Sequence, residues 1–229
     1  MFRWQKRILE GKVSLSEIIV LFPHMTPPTD TMPEDTPFAY HGRFLKAFFR
    51  NSAHVGAIAP SSSELSAILA DTVDWDKVDC VIEYGPGTGV VTQEVARRIK
   101  GKTRFFAIER EPEFAEITRR RCPDIEVIEG CVTRVPEYCR ERGIEKVDAI
   151  LSGLPWASFP VSLTEEILDA TFKVLPKGGK FATFAYWQGL LLPGSRRFRS
   201  LLKEHFSSVE RTRTAWRNLP PAFVYRCVR

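Results

Sequence analysis

The sequence predicts an α/β fold built on a doubly wound, mostly parallel sheet. Three observations carry that prediction. From Val78 onward, apolar strand-like runs alternate with segments of helical period. A glycine-rich turn, "GPGTG" at 85–89, joins the first such run to the first helix. An acid, Glu109, closes the second run twenty residues beyond Gly89. Strand, glycine turn, helix, strand and acid form the Rossmann-like order.

The elements follow in turn. "DCVIEYG" reads as the first strand and "GVVTQEVARRI" as its helix. "TRFFAIER" is the second strand, followed by the helix "EPEFAEITRRRC". "IEVIEG" is the third strand and "VDAILSG" the fourth, with the helix "TEEILDATFKVL" after it. "PKGGKFATFAY" is a fifth strand entered through a glycine turn, and residues 195–228 read as a helix and two further strand-like runs. Ahead of the first strand, Ser61 to Ser63 before Glu64 form an N-cap pattern and a helix.

The N-terminal part is different. Residues 1–22 form a short amphipathic pattern, and residues 23–37 hold five prolines and read as a linker. The domain proper runs over 38–229. It starts with a basic amphipathic helix over 38–50, where Phe44, Leu45, Phe48 and Phe49 share one face, Arg43, Lys46 and Arg50 lie between them, and no acid occurs. That composition suits an anionic membrane surface; it also suits an ordinary core helix.

The 229 residues carry 33 Lys and Arg against 28 Asp and Glu, a net charge of +5. From Arg196 onward nine basic residues face two acids, so this part carries +7 and the preceding part −2. A basic C-terminal third fits phosphates of lipid or nucleic acid, and equally a solvated face. The five cysteines form no C-x-x-C pair and no metal-like spacing, so no metal is expected and a reducing, cytoplasmic setting is. No apolar run reaches the length of about 20 residues that spans a bilayer, and the first 22 residues lack a signal-peptide pattern.

In such a sheet, ligands sit outside the carboxyl ends of the strands. After the first strand come Glu83, Gly85, Gly87, Thr88 and Gly89. The spacing is G-x-G-x-G, not the dinucleotide G-x-G-x-x-G, and Glu83 stands two residues before it. A buried carboxylate there repels a pyrophosphate and suits a ligand with an amino acid end and a sulfonium, S-adenosylmethionine, whose product is S-adenosylhomocysteine. Glu109, with Arg110 beside it, stands where an acid takes both ribose hydroxyls. Gly130-Cys131 follows the third strand and Ser152-Gly153-Leu154-Pro155-Trp156 the fourth.

The set "EYGPGTG", "AIER", "EGC", "SGLPW" and "LPKGGKF" resembles the class I S-adenosylmethionine-dependent methyltransferases over about residues 50–228. The resemblance implies that Ser61, Ser62, Glu83, Gly85, Gly87, Thr88, Gly89, Glu109, Arg110, Gly130, Cys131 and Ser152 hold the cofactor. Many such enzymes have Gly-Asp where this chain has Gly130-Cys131, and that acid reaches the adenine amine; the backbone or a neighbour must replace it here. Two subfamilies compete. The rRNA adenine dimethyltransferases carry Asn-Leu-Pro-Tyr or Phe where this chain has Gly153-Leu154-Pro155-Trp156, and Gly153 lacks the amide that would hold an exocyclic amine. The bacterial phospholipid N-methyltransferases, which act on phosphatidylethanolamine, are similar in "SGLP", in "HVGAIAPSSSELSAILA" and in the basic helix that precedes it. A related group methylates ornithine lipids.

The lipid resemblance implies a lipid amine acceptor and a protein peripheral to the inner face of the cell membrane. Nucleic acid is disfavoured and a monomer favoured. Tyr40, Leu154, Trp156, Tyr186, Trp187 and Arg196 are the expected acceptor-side residues, with Trp156 as the wall of an amine pocket. Tyr186 and His54 are the expected proton acceptors or relays.

Overall fold

The computed structural model describes residues 62–229 except Leu192 and Leu219. The expected elements at 1–22, 23–37 and 38–50, and the candidates Tyr40, His54 and Ser61, lie outside the described residues.

Seven strands form one sheet in the order β3-β2-β1-β4-β5-β7-β6. The strands are β1 (Cys80–Tyr84), β2 (Arg104–Glu109), β3 (Glu126–Glu129), β4 (Ala149–Ser152), β5 (Lys180–Tyr186), β6 (Ser208–Arg211) and β7 (Ala222–Val228). The first five run parallel. Only β7 is reversed, pairing antiparallel with both β5 and β6. All five residues of β1 are buried, as expected for a central parallel strand covered on both faces.

The helices are α1 (Ser63–Ala70), α2 (Val90–Ala96), α3 (Pro112–Arg121), α4 (Val135–Glu141), α5 (Val161–Val174) and α6 (Pro193–His205). Alternation along the strands divides the core between the two faces. Ile82 and Tyr84 point to the side covered by α4, α5 and α6, where Ile167, Leu168, Phe198 and Leu202 are buried. Val81 points to the other side, against Leu65 and Leu69 of α1 and Val91 and Val95 of α2. On α5 the buried positions Thr164, Ile167, Leu168, Thr171 and Val174 fall at helical spacing.

Helix α4 is not anticipated by the sequence reading, which passes from the third strand to the fourth. It has seven residues, too few for a helical period to show. Its local signals are Pro136 in the first turn and Glu137 beside it, both favourable at a helix N-terminus. The N-cap pattern of 61–63 resolves onto Ser62, whose hydroxyl accepts a hydrogen bond from Leu65 N at 3.2 Å. Cys80 is core, as its apolar strand predicts, and burial pushes its thiol up to about 12.

Strand order reverses between β1 and β4: the chain builds outward through β2 and β3, then returns to the opposite side of β1. The crevice that such a reversal leaves lies at the carboxyl ends of these strands.

Candidate active site

The chain must turn from the end of β1 at Tyr84 into α2 at Val90 within five residues. It does so with three left-handed glycines: Gly85 at φ 66°, Gly87 at 58° and Gly89 at 77°. Residues with a Cβ pay for that conformation in steric strain. Space adds a second constraint. A Cβ on Gly85 would meet Leu154 Cδ2 at 2.9 Å, and one on Gly89 would meet Thr118 at 3.2 Å. Gly85 N still donates to Ile108 O at 2.9 Å, so the ladder between β1 and β2 runs into the loop.

Glu109 ties this loop to the next strand. Its Oε2 accepts from Gly87 N at 3.0 Å, and its Oε1 from Arg110 N at 2.8 Å and Glu111 N at 3.0 Å. Burial at 6% exposure raises its pKa, and the three N–H donors work against that rise. A carboxylate has about four lone-pair positions, so one stays open towards the cleft that Glu109 lines. That acceptor, on a wall shaped by backbone N–H groups, fits a ribose diol.

Glu83 lies beneath the loop on the α1 and α2 side, 2% exposed, and its Oε2 accepts from the Thr92 hydroxyl at 2.7 Å. Burial pushes its pKa up to about 8, with the nearby Glu109 charge adding to the rise and the Thr92 bond opposing it. The folded protein therefore binds more protons than the unfolded chain between pH 4.5 and about 8. Stability falls as pH rises through that window and levels off above it. Thermal melts of the ligand-free protein across pH 5 to 9 should show a steeper loss for wild type than for Glu83→Gln, and parallel curves would contradict this account.

The remaining walls come from the ends of β3 and β4 and from α5. Gly130, Cys131, Gly153, Leu154, Leu163 and Ile167 border an open cleft of about 650 Å³, its solvent-facing mouth included. Phe114 and Phe159 also line it and were not singled out by the sequence reading. Cys131 stands half-buried in the cleft wall, where its Sγ accepts from the Thr133 hydroxyl at 3.1 Å. Gly153 packs on the glycine loop itself. Its N donates to Tyr84 O at 2.7 Å, and a Cβ there would lie 2.5 Å from Gly85 O.

Thus Gly85, Glu109, Arg110, Gly130, Cys131 and Leu154 line one cleft. Gly87, Thr88 and Gly89 belong to the loop above it, and Glu83 supports that loop from below. Ser62 is not among the residues that line the described cleft. Its hydroxyl caps α1, and its N donates to the buried Asn218 Oδ1 at 2.8 Å. Asn218, between β6 and β7, was not foreseen; single residues in a loop carry no pattern. Ser152 is fully buried, its Oγ accepting from Leu154 N at 3.3 Å and Trp156 Nε1 at 3.0 Å, so it shapes the turn.

Trp156 is a correction. It is 3% exposed and does not wall the cleft. Its ring stacks on Phe198 at 5.0 Å and meets Phe159 and Phe181 edge-on, because Ser152 draws the indole N–H inward. Phe159 and Leu154 take the wall position instead. Tyr186 ends β5 on the α1 side, edge-on to Phe184 at 5.7 Å and away from the described cleft wall. Burial pushes its phenol up to about 12. Trp187 donates to the Thr214 hydroxyl at 2.9 Å, which joins the end of β5 to the β6–β7 loop. Arg196 is exposed on α6. Among the described residues no helix is long and apolar enough to cross a membrane.

Comparison with known proteins agrees with this geometry. Residues 81–179 match a methyltransferase domain family. The chain is 33% identical to the ornithine lipid N-methyltransferase of Singulisphaera acidiphila over 80% of its own length and 93% of that protein's. A probable ribosomal RNA small subunit methyltransferase A of Thermococcus onnurineus is 34% identical, over 47% of this chain and 34% of its own. Among solved structures, the O-methyltransferase TomG of Streptomyces achromogenes in complex with SAM superimposes at a TM-score of 0.58 and 16% identity, covering 93% of this chain and 96% of that one. A Bacillus cereus O-methyltransferase in complex with SAH gives 0.56 at 16% identity, over 93% of this chain and 97% of that one. A glycine loop locked by Glu109 at the switch point, and a relative alike over nearly its whole length, place this chain in the S-adenosylmethionine-dependent methyltransferase family.

Proposed function

We propose that this methyltransferase acts on the amine head group of a membrane lipid, an ornithine lipid or phosphatidylethanolamine. The observation that carries the reading is the likeness to the ornithine lipid enzyme over 93% of that protein. Gly153 supports it. The residue that an adenine methyltransferase would need as Asn is here a glycine with 2.5 Å between its Cβ position and Gly85 O.

S-adenosylmethionine supplies an electrophilic methyl group on a sulfonium. The chain's residues do the rest by positioning. The left-handed glycines carry no Cβ, so the loop backbone can lie close against the ligand, and Glu109, which lines the cleft, would take the ribose. Leu154 and Phe159 give the cleft an apolar wall. An apolar surround lowers the pKa of a primary amine and favours the neutral, nucleophilic form. His54 is the proposed proton acceptor. Tyr186 lies away from the described cleft wall, and burial pushes its phenol up to about 12, so it is not assigned the proton.

The helix over 38–50 is proposed to dock on the anionic inner face of the cell membrane, with the protein a cytoplasmic monomer that binds peripherally. Expression in a bacterial host that contains phosphatidylethanolamine and lacks both phosphatidylcholine and ornithine lipids, with and without a co-expressed ornithine lipid pathway, tests the reading. Lipid mass spectrometry should show amine lipids heavier by one, two or three methyl groups. Unchanged lipids in both hosts would refute it. The partial RNA-enzyme relatives favour a second reading, RNA base methylation. Ribonuclease-sensitive label on ribosomal particles would support that one.

A further inference from the structure

The sheet's carboxyl-end rim holds apolar and basic groups that the cofactor cleft does not use. Among the described residues, two large apolar side chains stand more than a third exposed, Val161 at 37% and Trp216 at 41%. Both belong to this rim. Val161 opens α5 directly after the loop that follows β4. Trp216 lies in the loop between β6 and β7. Because β7 is antiparallel to both β5 and β6, β6 runs parallel to β5, and the loop opens at the end where the cleft lies.

The segment that carries Trp216 is basic. "RTRTAWR" at 211–217 has three arginines and no acid. Arg213 is paired with Glu64 at 2.9 Å. The Arg217 side chain makes no ion pair among the described residues, and its backbone N donates to Glu64 Oε2 at 3.1 Å. Asn218 adds its bond to Ser62 N, and Trp187 its bond to Thr214. The loop is therefore held to α1 and to the end of β5 while its tip shows an indole and a free guanidinium to solvent.

We propose that this rim, with Trp216 and Val161 as apolar contacts and Arg217 as a phosphate contact, is a docking face for an anionic lipid bilayer. The proposal rests on the lipid-amine reading in one respect: an acceptor anchored in a bilayer reaches the cleft only if the cleft's rim faces that bilayer. The chemistry fits the occupant. Indole rings settle at the boundary between head groups and acyl chains, and guanidinium groups bind lipid phosphates through paired hydrogen bonds. The face is separate in sequence from residues 38–50, which lie outside the described residues. With both engaged, the protein is held in one orientation, mouth to the surface.

Co-sedimentation of the full-length protein with phosphatidylglycerol-containing vesicles, against pure phosphatidylcholine vesicles, tests this. Trp216→Glu and Val161→Glu should each weaken binding to the anionic vesicles, by about tenfold for Trp216, while Trp216→Phe binds like wild type. Arg217→Glu should weaken binding to anionic vesicles only. Calorimetric affinity for S-adenosylmethionine should be unchanged in all four, which separates loss of docking from loss of fold. Wild-type vesicle binding by Trp216→Glu and Arg217→Glu would overturn the proposal. So would loss of binding to a model oligoribonucleotide with vesicle binding intact, the mark of an RNA surface. If the variants lose vesicle binding but no lipid is methylated in either host, the docking face stands and the acceptor reading falls. If lipid is methylated and the variants bind vesicles normally, the reverse holds.

Discussion

Glu109→Ala should lower the affinity for S-adenosylmethionine by about 100-fold or more. The wild-type carboxylate is positioned before any ligand arrives, by Gly87 N, Arg110 N and Glu111 N at 2.8–3.0 Å. Removing it deletes the charge-assisted bond that its remaining acceptor position offers the ribose, worth about 1.5–3 kcal/mol. It also frees the glycine loop from β2. The fold itself should survive, because the lost group is a carboxylate held in a place that disfavours its charge. Isothermal calorimetry measures the first effect and far-UV circular dichroism the second. Near-wild-type affinity would show that the ribose lies elsewhere.

Gly153→Asn should weaken cofactor binding by about 10- to 100-fold and create no base methylation. The substitution restores the Asn-Leu-Pro pattern of the adenine enzymes in sequence. In this fold it places a Cβ 2.5 Å from Gly85 O, a backbone atom of the cofactor loop. Backbone cannot rotate aside as a side chain can, so the loop must shift. Such overpacking costs about 1–3 kcal/mol. Gly153 has no left-handed φ, so the cost is one of space and not of backbone strain. Gly153→Ala should show most of the same loss, which separates the Cβ from the amide. If Gly153→Asn binds cofactor as wild type and methylates RNA, the loop geometry has been misread.

The parts of the molecule that could be read in the sequence are those that local chain chemistry decides. The β1 turn is one: three glycines in five residues announce left-handed backbone, and the structure has them at φ 58–77°. The spacing to Glu109 is another, because a strand, a turn, a helix and a strand fix where the second acid arrives. Strand order is partly legible too, since alternation of strands and helices dictates a parallel sheet. Trp156 shows where this stops. Its place after Gly-Leu-Pro suggested a pocket wall, but its partners Phe181 and Phe198 come from β5 and α6. Whether an aromatic faces a cleft or a core is set by such distant contacts. Ser62 is similar. The same serine can cap a helix or touch a ligand, and in this structure its hydroxyl caps α1 through Leu65 N. Phe159 and Asn218 were missed because an isolated side chain in a loop has no period.

The central claim is that a cofactor held by the β1 loop and Glu109 gives its methyl group to a lipid amine. Incubation of the purified full-length protein with methyl-labelled S-adenosylmethionine tests it most directly. The reaction should contain mixed vesicles of phosphatidylethanolamine, ornithine lipid and phosphatidylglycerol, with ribosomal RNA present as competitor. Label is expected in the organic phase, on ornithine lipid or phosphatidylethanolamine, and none with Glu109→Ala. Label confined to the RNA, or none in the lipid at full cofactor occupancy, would contradict it.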